Sequence, residues 1–255
     1  MIKNITIIGS GNVATQLSNA FKKNELKIVQ IISRNKISGK ELAKKTNSCY
    51  TDDFSRIKKT DLIIICVSDD NIQEISNKIP SNMSVVHTSG STSLNVLKKN
   101  KNYGVVYPLQ SLNKNQPISF QNIPICIEGN NKNYARILLD LCQKITNKIY
   151  FLDSKKRKHL HLSAVIASNF SNFCYLMAKK ELDKYHINFD LLKPLILQTA
   201  NQILNTPPLI CQTGPAKRKD KKVIKEHLTM LKDENYKKIY KLLSQSIIKE
   251  YDKQL

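Results

Sequence analysis

Residues 1–152 repeat one pattern of polarity: a short run of Ile, Val and Leu, a polar break, then apolar positions at helical spacing. The apolar runs at 5–8, 28–32, 62–67, 85–87, 104–107, 123–127 and 149–152 predict strands, with helices at 13–23, 40–45 and 134–146 between them. Buried strands alternating with helices predict a parallel sheet covered on its faces by helices. From residue 154 the pattern changes to long apolar-periodic segments near 155–180, 188–205, 219–232 and 235–252, with few β-branched runs. That second pattern predicts an all-helical domain.

The first strand runs into Gly9-Ser10-Gly11-Asn12-Val13-Ala14, a GxGxxA pattern at the mouth of a helix. Gly9 permits the tight turn, Gly11 lets the backbone approach a pyrophosphate, and Ala14 lets helix and strand pack closely. Free N–H groups and the helix dipole would receive the phosphates. The fold expected is therefore α/β: an N-terminal Rossmann dinucleotide-binding domain over 1–152, then an all-α substrate and dimerisation domain over 153–255. The second strand ends Ser33-Arg34, where an NAD site would carry a carboxylate for the ribose hydroxyls. Arg34 can instead pair with a 2′-phosphate, so NADP is the expected cofactor, unless Arg34 is only a solvated basic side chain. Val67, Ser68 and Asp69 close the 62–67 strand and would line the same cleft, although Asp69 equally suits a helix N-cap.

Polar clusters elsewhere offer catalytic groups. His87 could donate a proton to a substrate or merely cap its loop, with Ser89 beside it as a substrate contact. Tyr107-Pro108-Leu109-Gln110-Ser111 is a strand end with a rigid turn, and Gln110 is a further substrate candidate. On an unbroken helix turning about 100° per residue, His161, Ser168 and Asn172 fall within roughly 40° of one another, with Asn169 on the flank. Such a stripe suits substrate binding, or a face turned to water. Thr213 and Arg218, in the turn Gln212 to Asp220, could bind a carboxylate or belong to a packing or dimer loop.

Composition narrows the function classes. The chain of 255 residues carries a net charge of +21, yet its lysines are spread over almost every element, as adenine- and thymine-rich codon usage would produce. That argues for a small anionic substrate and against nucleic acid as the main partner. The six cysteines have no metal-ligand spacing, so no metal is expected. No apolar run is long enough for a membrane span or a signal peptide, which predicts a cytoplasmic protein. An NADP sensor without turnover is the alternative to an enzyme, and it would tolerate loss of Asn172.

In order, GSGNVA, HTSGS, YPLQS, HLSAVIASNFSN and QTGPAKRKD resemble bacterial Rossmann-like proteins whose C-terminal helical half is a domain of unknown function. That family resembles reductases related to pyrroline-5-carboxylate reductase, 6-phosphogluconate-type dehydrogenases and ketopantoate reductase. The resemblance implies an NADP site at Gly9, Gly11, Asn12, Val13, Ala14, Ser33 and Arg34, a homodimer, and ketopantoate as a candidate substrate. Ketopantoate reductases place a Lys and an Asn four apart on the first helix after the nucleotide domain. Here Lys158 is followed by Leu162, so Asn169 or Asn172 would supply the amide and His161 or His87 the proton.

Overall fold

The strand β1 (Asn4–Ile8) leads through the glycine turn into α1 (Asn12–Lys23), and the chain returns as β2 (Lys27–Ile32). This is a computed structural model describing residues 2–252. There follow α2 (Lys36–Thr46), β3 (Cys49–Thr51), β4 (Leu62–Ile65), α3 (Asp69–Lys78), β5 (Val85–His87), β6 (Tyr103–Pro108), β7 (Ile125–Gly129), α4 (Lys132–Cys142) and β8 (Ile149–Phe151). The eight strands lie in the order β3-β2-β1-β4-β5-β6-β7-β8. All pairings are parallel except β6 with β7.

The central strands are apolar on both faces because both are covered, as a parallel sheet requires. Ile5, Ile7, Leu62 and Ile64 pack with Leu17 and Phe21 of α1 and Leu138 and Leu141 of α4. Ile8, Ile63 and Ile65 pack on the other face with Ile72 and Ile75 of α3. Strand order reverses between β1 and β4, so their carboxyl ends diverge and open a crevice there.

Several elements differ from the sequence pattern, among them α2, which begins at Lys36 rather than 40, and β7, which lies two residues later than expected. β3 was not predicted: it is a three-residue edge strand, Cys-Tyr-Thr, too short and polar to show an apolar run. β4 stops at Ile65 rather than 67: Cys66 keeps one hydrogen bond to the Ile8 carbonyl, and Cys66 and Val67 line the crevice.

The remaining chain is helical: α5 (Ser154–Ala164), a π-helical segment (Val165–Phe170), α6 (Ser171–Asp183), α7 (Lys193–Asn205), the single turn α8 (Pro208–Cys211), α9 (Lys221–Met230) and α10 (Glu234–Asp252). The chain forms two compact units that divide between Ser168 and Asn169. Helix α5 belongs with the sheet, to which Arg157 ties it. No helix among the described residues is long and apolar enough to cross a membrane.

Candidate active site

At the crevice, Gly9 has φ +115°, and a Cβ there would stand 2.2 Å from the carbonyl oxygen of Cys66 at the end of β4. The turn is thus pressed against the neighbouring strand, and only glycine fits. At Gly11 a Cβ would meet nothing within 4 Å, so the backbone is open on that side. The first helical bond of α1 runs from Thr15 N–H to the Gly11 carbonyl at 3.0 Å. Gly11 offers no side-chain cap, and no acidic residue stands in the first turn of α1. Helices α2, α4 and α5, by contrast, are capped by the side chains of Asn35, Asn131 and Asp153. An uncapped helix start behind an open glycine backbone fits a pyrophosphate.

The cleft over this turn measures about 520 Å³ and is lined by Ile8 to Val13, Ile32 to Asn35, Phe54, Cys66 to Ser68, Ile75 and Thr88. Of the predicted cofactor residues, Gly9, Ser10, Gly11, Asn12, Val13, Ser33, Arg34, Val67 and Ser68 line it, while Ala14 is buried beneath it in the helix–strand contact. Asn12 turns its side chain aside, accepting from Lys114 N–H at 3.1 Å, which leaves its backbone for a ligand.

At the β2 end, Ser10 Oγ lies 2.8 Å from Ser33 Oγ and 2.7 Å from Ser38 Oγ. Arg34 stands beside this hydroxyl cluster, forms no ion pair among the described residues, and the cleft lining contains no Asp or Glu. One guanidinium, clustered hydroxyls and no carboxylate suit a 2′-phosphate and would leave a bare ribose without its usual acceptor.

Three predicted roles are corrected. Asp69 does not line the cleft. It lies in the first turn of α3, where its carboxylate accepts from Ser91 Oγ and so ties down the 89–92 loop. Ser89 is buried and committed: its Oγ accepts from the backbone N–H of Ser91 and Thr92, at 3.1 and 2.9 Å. It organises the loop and is not available as a substrate contact. His87 is fully buried, its Nδ1 accepting from Ser89 N–H at 3.2 Å. Burial first, then the Arg157 charge, pushes its imidazole down to about 4, so it is neutral near pH 7 and sealed from the cleft. The N–H that the neutral ring carries is on Nε2, which is buried without a hydrogen-bond partner among the described residues, so His87 lacks the access to a substrate that a proton donor needs.

The sequence reading missed Arg157. It is 1% exposed and pairs with Glu128 of β7. Its Nε donates to the Ser89 carbonyl at 3.2 Å, and its Nη2 donates to the Thr92 carbonyl and to Ser154 Oγ. Glu128 also accepts from Ser154 N–H at 2.9 Å and from its hydroxyl at 2.8 Å. One buried guanidinium thereby joins the 89–92 loop, β7 and α5. Beside it, His161 Nδ1 lies 3.1 Å from Tyr107 Oη, the rings edge-on at 5.9 Å.

Of the other predicted substrate residues, Gln110 and Ser168 belong to the first unit. Gln110 is exposed, its Oε1 accepting from Ser111 N–H. Ser168 ends the first unit, exposed. Asn169, Asn172, Thr213 and Arg218 belong to the second unit, where each is exposed. The stripe linking His161 to Asn172 presumed an unbroken α-helix. Residues Val165–Phe170 are instead π-helical, which shifts the phase of everything after them.

Fold and cleft together define a Rossmann-type nucleotide-binding protein with the NADP form of the ribose loop. Residues 4–89 match the family model described as NADP oxidoreductase, coenzyme F420-dependent, and residues 123–247 match the domain of unknown function DUF2520. A Bacteroides fragilis protein assigned as an NADP oxidoreductase is 37% identical, with a TM-score of 0.91 over 97% of this chain and 98% of that one. The chain belongs to that family of NADP oxidoreductases, in which a Rossmann domain precedes a DUF2520 helical domain. The fold is shared more distantly with the reductive aminase of Aspergillus terreus, solved with NADPH and ethyl levulinate (14% identity, TM-score 0.70, 98% of this chain and 95% of that one). It is shared also with the imine reductase of Myxococcus stipitatus, solved with NADP+ (13% identity, TM-score 0.65, 98% and 93%). Among curated proteins none matches.

Proposed function

We propose that this protein is an NADPH-dependent reductase acting on a small anionic C=O or C=N compound, with ketopantoate the first to test. The observation that carries the reading is the acid-free cleft, with the uncapped start of α1 at one side and Arg34 at the other. Backbone N–H groups of α1 would hold the pyrophosphate, and Arg34 with Ser10, Ser33 and Ser38 the 2′-phosphate. Bound NADPH supplies the hydride. With His87 sealed away, His161 is left as the imidazole that can donate a hydrogen bond to the substrate heteroatom as negative charge develops there. The net charge of +21 favours capture of an anion. The test is NADPH consumption with ketopantoate, other 2-keto acids and cyclic imines. Consumption with at least one supports the reading, and NADPH binding without any turnover would leave a nucleotide-binding protein instead.

We infer in addition that two copies associate through the second unit. Ala216 and Ser244 are the buried residues there among those described, and none of the three core clusters includes a residue of that unit. Leu191, Leu195, Leu204, Ile210 and Leu242 are 62–76% exposed, far more apolar surface than a monomeric helical unit ordinarily leaves in water. Light scattering on the eluting protein should give twice the 29.1 kDa chain mass. A monomer at micromolar concentration would contradict this.

A further inference from the structure

Tyr107 sits at the end of β6, 9% exposed, its ring packed among Val105, Cys126 and Leu160. Its hydroxyl has one hydrogen-bond partner among the described residues, His161 Nδ1. The pair is held without slack: a Cβ on Gly90 would lie 2.7 Å from His161 Nδ1 and 2.8 Å from Tyr107 Cζ. Gly90 is two residues beyond Thr88, which lines the cleft, and the loop carrying it is fixed by Asp69 from one side and Arg157 from the other.

The direction of the Tyr107–His161 bond follows from counting protons. A buried phenol O–H left without an acceptor is costly. If Nδ1–H donated to the phenol oxygen, the phenol proton would have no acceptor among the described residues. If the phenol donates, Nδ1 accepts, and a neutral imidazole then carries its proton on Nε2. Burial, with Cys126 and Asp69 adding to it, raises the Tyr107 pKa and keeps that donor proton in place. Nε2 itself has no hydrogen-bond partner among the described residues, and His161 is half-buried rather than sealed.

We propose that Tyr107 is the positioning residue of the site: it locks His161 in the Nε2–H tautomer and so presents a fixed hydrogen-bond donor to the heteroatom being reduced. The inference rests on the reductase reading and specifies its electrophile. Hydride adds to the substrate carbon, the C=O or C=N π pair moves to oxygen or nitrogen, Nε2–H stabilises that charge, and water supplies the product proton. Neutral imidazole serves here as a donor without being consumed.

The test compares wild type with Tyr107→Phe, which keeps the ring and its packing, using long-range proton–nitrogen NMR of the imidazoles in the full chain. His161→Gln identifies the His161 signals. Wild type should show His161 as the Nε2–H tautomer, and Tyr107→Phe should convert it to a mixture with Nδ1–H. NADPH affinity should be equal in both. With the substrate consumed fastest in the screen, kcat of Tyr107→Phe should fall about tenfold or more at unchanged KM for NADPH. An Nδ1–H tautomer in wild type, or the same tautomer in both proteins, overturns the inference while NADPH still binds. Failure of wild type to bind NADPH overturns the reductase reading itself, and with it the assigned target of Nε2–H.

Discussion

Arg157→Met should destabilise the protein by about 3–5 kcal/mol, because it strands a carboxylate and two backbone carbonyls in the interior. The side chain is 1% exposed and its partner Glu128 only 16%. Its loss leaves Glu128 without a countercharge and removes the donors to Ser89 and Thr92. Lysine in its place would restore the charge but not the planar fork that reaches three elements, so Arg157→Lys should recover less than half of the loss. The double variant Arg157→Met with Glu128→Leu should be more stable than Arg157→Met alone, since the stranded charge is then gone. Urea unfolding of the four proteins measures all of this. A cost below about 1 kcal/mol for Arg157→Met would place the pair among ordinary surface ion pairs and remove its bracing role.

Gly9→Ala should abolish detectable NADPH binding. The φ of +115° is one that an L-residue adopts only with strain, and the added methyl would press on the Cys66 carbonyl from 2.2 Å. Cys66 has little room to give way, since it follows directly on β4, is buried, and donates its own N–H to the Ile8 carbonyl of β1 at 2.7 Å. The turn must move instead, and it carries Gly11 and the start of α1 with it. Backbone strain of this kind alone costs on the order of 1–3 kcal/mol, and the displaced turn no longer matches the phosphates. Gly11→Ala is the control, because its Cβ would project into open space. It should unfold like wild type while still weakening NADPH by filling the approach. Thermal unfolding with and without NADPH separates the two effects, and a Gly9→Ala protein stabilised by NADPH as strongly as wild type would contradict this account of the turn.

The centre of the sheet was legible because its strands are buried: four consecutive apolar residues at Leu62–Ile65, all buried, have no other use in a chain this polar. β3 was not, since three residues at an edge need no apolar run. The glycine turn and Arg34 could be read because dinucleotide sites use local sequence, one turn and one strand end. The 89–92 loop could not, since its function depends on Arg157, more than 60 residues away, within the basic run Lys155-Lys156-Arg157-Lys158. A signal was present there. Only five of the 41 basic residues are Arg, which singles Arg157 out within a lysine run, although Arg56 and Arg218 share the type and are exposed. His87 and Ser89 were assigned to chemistry because polar residues after a strand suggest a site. Their side chains turn inward, and pattern alone does not tell a buried polar network from an open one. The π-helical segment defeated the helical stripe for a similar reason: Val165–Phe170 holds neither Gly nor Pro to mark the change of helical period.

The most direct test of the central claim is a fluorescence titration of the purified protein with NADPH and NADH, repeated on Arg34→Ala. The account predicts tight binding of NADPH, binding of NADH at least about tenfold weaker, and loss of that preference in Arg34→Ala, as expected for one charge-assisted phosphate contact. Equal affinity for the two nucleotides in wild type would contradict the assignment of Arg34 and its serine cluster to the 2′-phosphate, and binding of neither would contradict the reductase.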